Sequence, residues 1–116
     1  MNHATISRPQ RFLALAAGLT LAATPVLGAE AIENWNKYCA SCHGKDGKGQ
    51  TKAGKQSGAK DMTEAAYQSS KKDDNMFKVI EEGLKDRGQD VMKPFAAKLT
   101  DDEIKALVAH VRAFKK

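Results

Sequence analysis

Trp35-Asn36-Lys37-Tyr38-Cys39-Ala40-Ser41-Cys42-His43-Gly44 is the stretch on which the reading of this chain turns. Its two cysteines are the only ones in the protein, separated by two residues, and His43 follows the second directly. On a helical turn, residues at i, i+3 and i+4 project from the same side. Cys39, Cys42 and His43 have that spacing, so two thiols and one imidazole leave the backbone together. C-x-x-C-H is the signature of covalent haem attachment, in which the thiols form thioethers to the porphyrin edge and the imidazole points at the iron. His43 is then the proximal axial ligand.

Other uses of such a cluster fit less well. A thioredoxin-like C-x-x-C needs a βαβ framework that the helical patterning does not supply. A structural zinc site takes four ligands, whereas the only further histidine downstream is His110, distant in sequence and inside a helical pattern. A disulfide closing over two residues contributes little to a fold.

Working outward, Ala31, Trp35 and Tyr38 fall at i, i+4 and i+7, the face of a short helix running into Cys39. After His43, residues 44–60 read GKDGKGQTKAGKQSGAK, polar and glycine-rich, and are expected to be loop. Thr63 is a candidate cap for a brief helix holding Ala65, Ala66 and Tyr67; Asp73 or Asp74 is a candidate cap for a longer one. In the longer helix Met76, Val79 and Ile80 share a face, Phe77 and Leu84 flank it, and Gly83 supplies a stop. Residues 85–91 are polar and turn-like and lead to Met92-Lys93-Pro94-Phe95. Thr100 with Glu103 forms a capping box for a last helix whose apolar face is Ile104, Leu107, Val108, Val111 and Phe114, with Lys115 and Lys116 at its negative end. No run alternates as strands do. The expected fold is all-α with long loops.

Upstream, Phe12 to Ala23 is uncharged and follows Arg8 and Arg11, the pattern of a secretory signal peptide. The run is well short of the roughly 20 residues needed for a stable bilayer anchor, so no lasting membrane insertion is expected. Small residues permit cleavage after Gly28, Ala29 or Ala31. The expected organisation is a signal peptide over 1–28 and one domain over 29–116, delivered to the periplasm. A domain of that size buries only about 60% of the surface its unfolded chain exposes and leans on some further source of core, which a haem supplies. Loss of Arg8 and Arg11 takes Lys+Arg from 19 to 17 against 14 Asp+Glu, lowering the formal charge from +5 to +3. With 6% aromatics and no arginine-rich stripe, nucleic acid is not an expected partner.

Taken together, these pieces resemble the small soluble class I c-type cytochromes of bacterial periplasms. The resemblance covers nearly all of residues 29–116. It rests on Trp35 four residues before the first cysteine, Cys39 to His43, the Gly44 to Gly49 loop, Met92-Lys93-Pro94-Phe95, and Leu99-Thr100-Asp101-Asp102-Glu103-Ile104. It implies a cytochrome c-like fold, with helices wrapped around one covalently attached haem and the first and last helices crossing.

The sixth iron ligand is sought among Met62, Met76 and Met92. Met76 lies in register with Val79 and Ile80, a spacing typical of core packing. Met62 ends the glycine-rich loop, where nothing in the sequence fixes it. Met92 precedes Pro94, whose fixed φ stiffens the chain where a thioether must be aimed, and it matches the position of the family's axial methionine. It is therefore the expected distal ligand. Two departures stand out. His110 takes a place where the family usually has an aromatic. The family's usual proline, whose carbonyl accepts the proximal histidine's N–H, has no counterpart between Gly44 and Met62, so some other loop carbonyl is expected in that role.

Imidazole and thioether together leave the iron no open position, which implies a one-electron carrier between redox protein partners, monomeric and not an enzyme. Lys45, Lys48, Lys52, Lys55, Lys60 and Lys93 are candidates to ring an exposed haem edge and steer acidic partners. The alternatives are a five-coordinate haem that binds or turns over peroxide, NO or CO, and an electron-transfer subunit of a larger oxidoreductase.

Overall fold

The structure, a computed structural model, describes residues 13–21 and 27–116. The greater part of the expected signal segment lies outside the described residues. Residues 13–21 of it have no regular secondary structure, with Leu13, Leu15, Leu19 and Leu21 exposed, whereas its last two residues, Leu27 and Gly28, already belong to the first helix.

The first helical run has three parts. Helix α1 (Leu27–Asn34) passes into a π-helical turn (Trp35–Cys39) and then into α2 (Ala40–His43), which Gly44 ends at φ 79°. The run buries Ala31, Trp35 and Cys39, four residues apart each time, while Tyr38 is half-buried at the edge of the stripe. Helix α6 (Asp101–Ala113) opens with the expected capping box, Thr100 Oγ1 accepting from the Glu103 N–H and Glu103 Oε2 accepting from the Thr100 N–H. Its buried face is Ile104, Leu107, Val108 and Val111. α1 and α6 pack together as the resemblance implied, and Asn34 Nδ2 donates to Glu103 Oε1 across the crossing at 3.5 Å.

Between them lie three helices and a hairpin. Helix α3 (Lys52–Ser57) falls in the stretch expected to be loop. Thr51 caps it through Oγ1, and Gly58 ends it in the left-handed region at φ 75°. The apolar periodicity that reveals a helix is missing here because its one buried residue is Gly54. Helix α4 (Ala65–Ser70) is present, but Glu64 occupies the cap position without a side-chain bond; the Thr63 hydroxyl instead donates to Asp61 Oδ1 at 2.6 Å. Helix α5 (Asp73–Glu82) likewise begins at a Lys72 cap with no side-chain bond, and Asp73 and Asp74 lie in its first turn, where their charge suits the helix dipole. Met76 and Ile80 are its buried residues, and Gly83 stops it as expected.

A second departure in class of element follows. Strands β1 (Leu84–Asp86) and β2 (Gln89–Met92) form an antiparallel hairpin, with Leu84 opposite Met92 and Asp86 opposite Gln89. Leu84 therefore extends no helical face; it is exposed at the start of β1. Arg87 and Gly88 turn the chain with positive φ at both positions, 51° and 80°, the geometry whose twist matches paired strands. Residues 84–90 are all exposed, so the pair has no buried face and leaves no alternation in the sequence. The domain remains a mostly helical, cytochrome c-like fold.

Candidate functional site

Cys39, Cys42 and His43 come together on the π-helical turn and α2, as their spacing requires. Neither cysteine is in a disulfide, and Cys39 is buried. Burial, with a smaller contribution from Cys42, pushes the Cys39 thiol up to about 12 and keeps it protonated. Burial also holds the His43 pKa below its ordinary value, favouring the neutral imidazole that binds a metal.

The turn is fixed from several directions. The Cys42 carbonyl accepts from Thr51 Oγ1 at 2.8 Å, the His43 carbonyl from the Gly49 N–H at 2.8 Å, and the Gly44 carbonyl from Trp35 Nε1 at 3.0 Å. Helix α3 lies so close that a Cβ on Gly54 would collide with the Cys42 carbonyl. A Cβ on Gly47 would sit 2.6 Å from the Phe114 ring, so the loop presses on the end of α6. The ring of Trp35 lies 5.7 Å from His43, 5.2 Å from His110 and 5.1 Å from Phe114 between centroids. His110 thus occupies the helix crossing as part of an aromatic stack.

No loop carbonyl accepts from His43 Nδ1, contrary to expectation: that nitrogen is buried without a hydrogen-bond partner. The three carbonyls of Cys42, His43 and Gly44 already serve other donors.

Met92 ends β2, half-buried, and packs against the core cluster that includes Trp35 and Cys39. Its placement depends on the turn after α5. Gly83 sits at φ 78° with room for no side chain, since a Cβ there would lie 2.6 Å from the Met92 carbonyl. The Phe95 N–H donates to the Ile80 carbonyl at 3.0 Å, tying the residues beyond Pro94 back to α5. Met62 and Met76 are both more deeply buried, each at 8% exposure. Met62 is also held firmly, unlike the free loop end that the sequence suggested. Its N–H donates to the Gly47 carbonyl at 2.9 Å, and its carbonyl accepts from Gln68 Nε2 at 2.6 Å.

Gln68 and Arg112 carry no sequence signal of their importance. Gln68 is buried, and its amide also donates to the Val111 carbonyl at 2.9 Å. Arg112 donates to Gln68 Oε1, to the Gln68 and Lys71 carbonyls and to Asp73 Oδ1, all within 3.0 Å. Together they lock α4 and the start of α5 to α6. Lys45, Lys52, Lys55, Lys60 and Lys93 are exposed, and Lys48 is half-buried.

Two free thiols and a neutral imidazole leaving one turn form the donor set of a covalent haem. The core is correspondingly short of side chains, with Ile104 and Leu107 the only ones fully buried among the described residues. Such a site on such a fold is that of a c-type cytochrome. Residues 28–111 match the family described as cytochrome c oxidase, cbb3-type, subunit III, and the chain belongs to this family of c-type cytochrome domains. Among solved structures it is similar to the KustC0563 c-type cytochrome, at 36% identity over 74% of this chain and 98% of that one, with a TM-score of 0.64. A point mutant of the same protein gives 0.66. Cytochrome CL from the marine methylotrophic bacterium Methylophaga aminisulfidivorans MPT shares the fold, with 22% identity over 78% of this chain and 55% of that one and a TM-score of 0.56. No curated protein sequence matches the chain significantly. The protein is an electron-transfer haem protein with one covalently bound c-type haem, and its partners are redox partners.

Proposed function

We propose that the protein is a periplasmic one-electron carrier in which Cys39 and Cys42 would hold the haem through thioethers and His43 and Met92 would bind its iron. The observation that carries this is that Cys39 of the C-x-x-C-H turn lies in the core cluster against which Met92 packs from a separate element. When bound, the haem supplies a single iron that exchanges one electron. The chain's residues set how readily it does so. A thioether ligand favours the ferrous state relative to a second imidazole, and burial among apolar side chains acts in the same direction. With His43 and Met92 both bound to it, the iron would have no position left for a substrate.

Export is supported by the uncharged run after Arg8 and Arg11 and by the exposure of Leu13, Leu15, Leu19 and Leu21, which find no core to join. Among the described residues no helix is long and apolar enough to cross a membrane. N-terminal sequencing of protein from a periplasmic fraction should begin between residues 29 and 32. The exposed lysines of residues 45–60 and Lys93 serve as a docking surface for acidic partners, so electron-transfer rates should fall as ionic strength rises.

A redox titration with carbon monoxide present tests the carrier reading. A single one-electron wave unaffected by the gas supports it; a ferrous protein that binds carbon monoxide at once supports the five-coordinate alternative. The family description, which names an oxidase subunit, favours a second reading in which the protein works bound to a larger oxidoreductase. Gel filtration of a periplasmic extract followed by haem staining separates the two.

A further inference from the structure

A metal-binding histidine ordinarily donates its second ring N–H to a carbonyl, a carboxylate or a water, which fixes the rotation of the ring and strengthens its donation to the metal. His43 has no such partner in the protein: Nδ1 is buried and unbonded. The backbone acceptors closest in sequence are already engaged, Cys42 with Thr51, His43 with Gly49 and Gly44 with Trp35.

Trp35 is the side chain that both packs the imidazole and grips the backbone beside it. Its ring lies 5.7 Å from His43 at an interplanar angle of 38°, and its N–H closes on the carbonyl of the next residue, Gly44, at 3.0 Å. The indole is itself held, since His110 and Phe114 pack it from α6. A phenylalanine there would offer the packing without the grip.

Resting on the reading of His43 as the proximal ligand, we propose that Trp35 is a positioning residue for the iron. Its packing and its clasp on Gly44 set the rotation of the His43 ring in place of a hydrogen bond from Nδ1. The imidazole so held is a weaker donor than one whose N–H is accepted, which favours the ferrous state.

The test is Trp35→Phe in the haem-loaded protein, read by the proton NMR spectrum of the ferric form. The order and spread of the haem methyl shifts there follow the orientation of the axial ligands. The expected result is a changed methyl pattern and a shifted reduction potential, with the near-infrared sulfur-to-iron band retained. A methyl pattern identical to that of the unsubstituted protein overturns the proposal. Leu107→Ala, a fully buried change in the same core cluster, is the control. It should lower stability and leave the pattern alone; if it moves the methyls as far as Trp35→Phe does, loosened packing explains both and the proposal falls. Should Trp35→Phe not accumulate, the unsubstituted protein decides, because its single tryptophan gives one indole N–H signal. Slow exchange of that proton with solvent supports the clasp, and fast exchange overturns it. A ferrous spectrum of the unsubstituted protein without a histidine-ligated haem would instead remove the reading of His43 as the proximal ligand on which the proposal rests.

Discussion

The two elements that carry the proposed iron ligands are built differently. On the His43 side, α1, the π-helical turn and α2 bury Ala31, Trp35 and Cys39, and the three carbonyls from Cys42 to Gly44 each have a fixed donor. On the Met92 side, a short hairpin stands largely in solvent, laced by an exposed Lys85–Asp90 pair at 3.7 Å and anchored where Gly83 and Phe95 meet the end of α5 and where Met92 packs on the core cluster. The difference teaches that this domain invests its packing where a covalent group must be seated. Under the proposed ligation the second side of the iron would need a single sulfur, which one turn and one proline-stiffened segment can deliver. Damage on the first side should therefore spread through the fold, and damage on the second should stay local.

The largest effect is expected from replacing both thiols, Cys39→Ser with Cys42→Ser. Haem staining after denaturing electrophoresis should be lost, and with it most of the cooperative unfolding transition, since so few side chains are fully buried. Next comes Leu107→Ala, at 0% exposure in the core cluster, which should cost about 2–5 kcal/mol in denaturant unfolding of the haem-loaded protein. On the hairpin, Gly88→Ala forces a side chain into φ 80° and should cost about 1–2 kcal/mol, with haem attachment complete. If Gly88→Ala proved as damaging as Leu107→Ala, the contrast between the two sides would fail.

The smallest effect concerns acid. Burial depresses the His110 pKa in the folded state below its ordinary value of 6.5, so the folded protein favours the neutral ring. The stability this confers is complete above about pH 6.5 and is lost as the pH falls toward the depressed value. Unfolding curves between pH 7 and 5 should therefore be flatter for His110→Phe than for the unsubstituted protein.

Much of this was legible in the sequence. The spacing of Cys39, Cys42 and His43 placed three donors on one turn, and Thr100 with Glu103 announced α6 through local chemistry alone. What escaped notice had no local signature. Helix α3 buries a glycine, so no apolar period marks it. The hairpin packs no face, so no alternation betrays it. Gln68 and Arg112 matter through partners about forty residues away in sequence, which no short window contains. The missing acceptor for His43 Nδ1 was half legible: the absent proline pointed to a substitute, and the structure has Trp35 claiming the carbonyl of the next residue, Gly44, instead.

The most direct measurement of the central assignment, one iron held between His43 and Met92, is the near-infrared spectrum of the oxidised haem-loaded protein and its methionine variants. A weak sulfur-to-iron band that survives Met62→Leu and Met76→Leu and disappears in Met92→Ala is the expected result. A band that persists in Met92→Ala, or a high-spin spectrum with no such band in the unsubstituted protein, would contradict it.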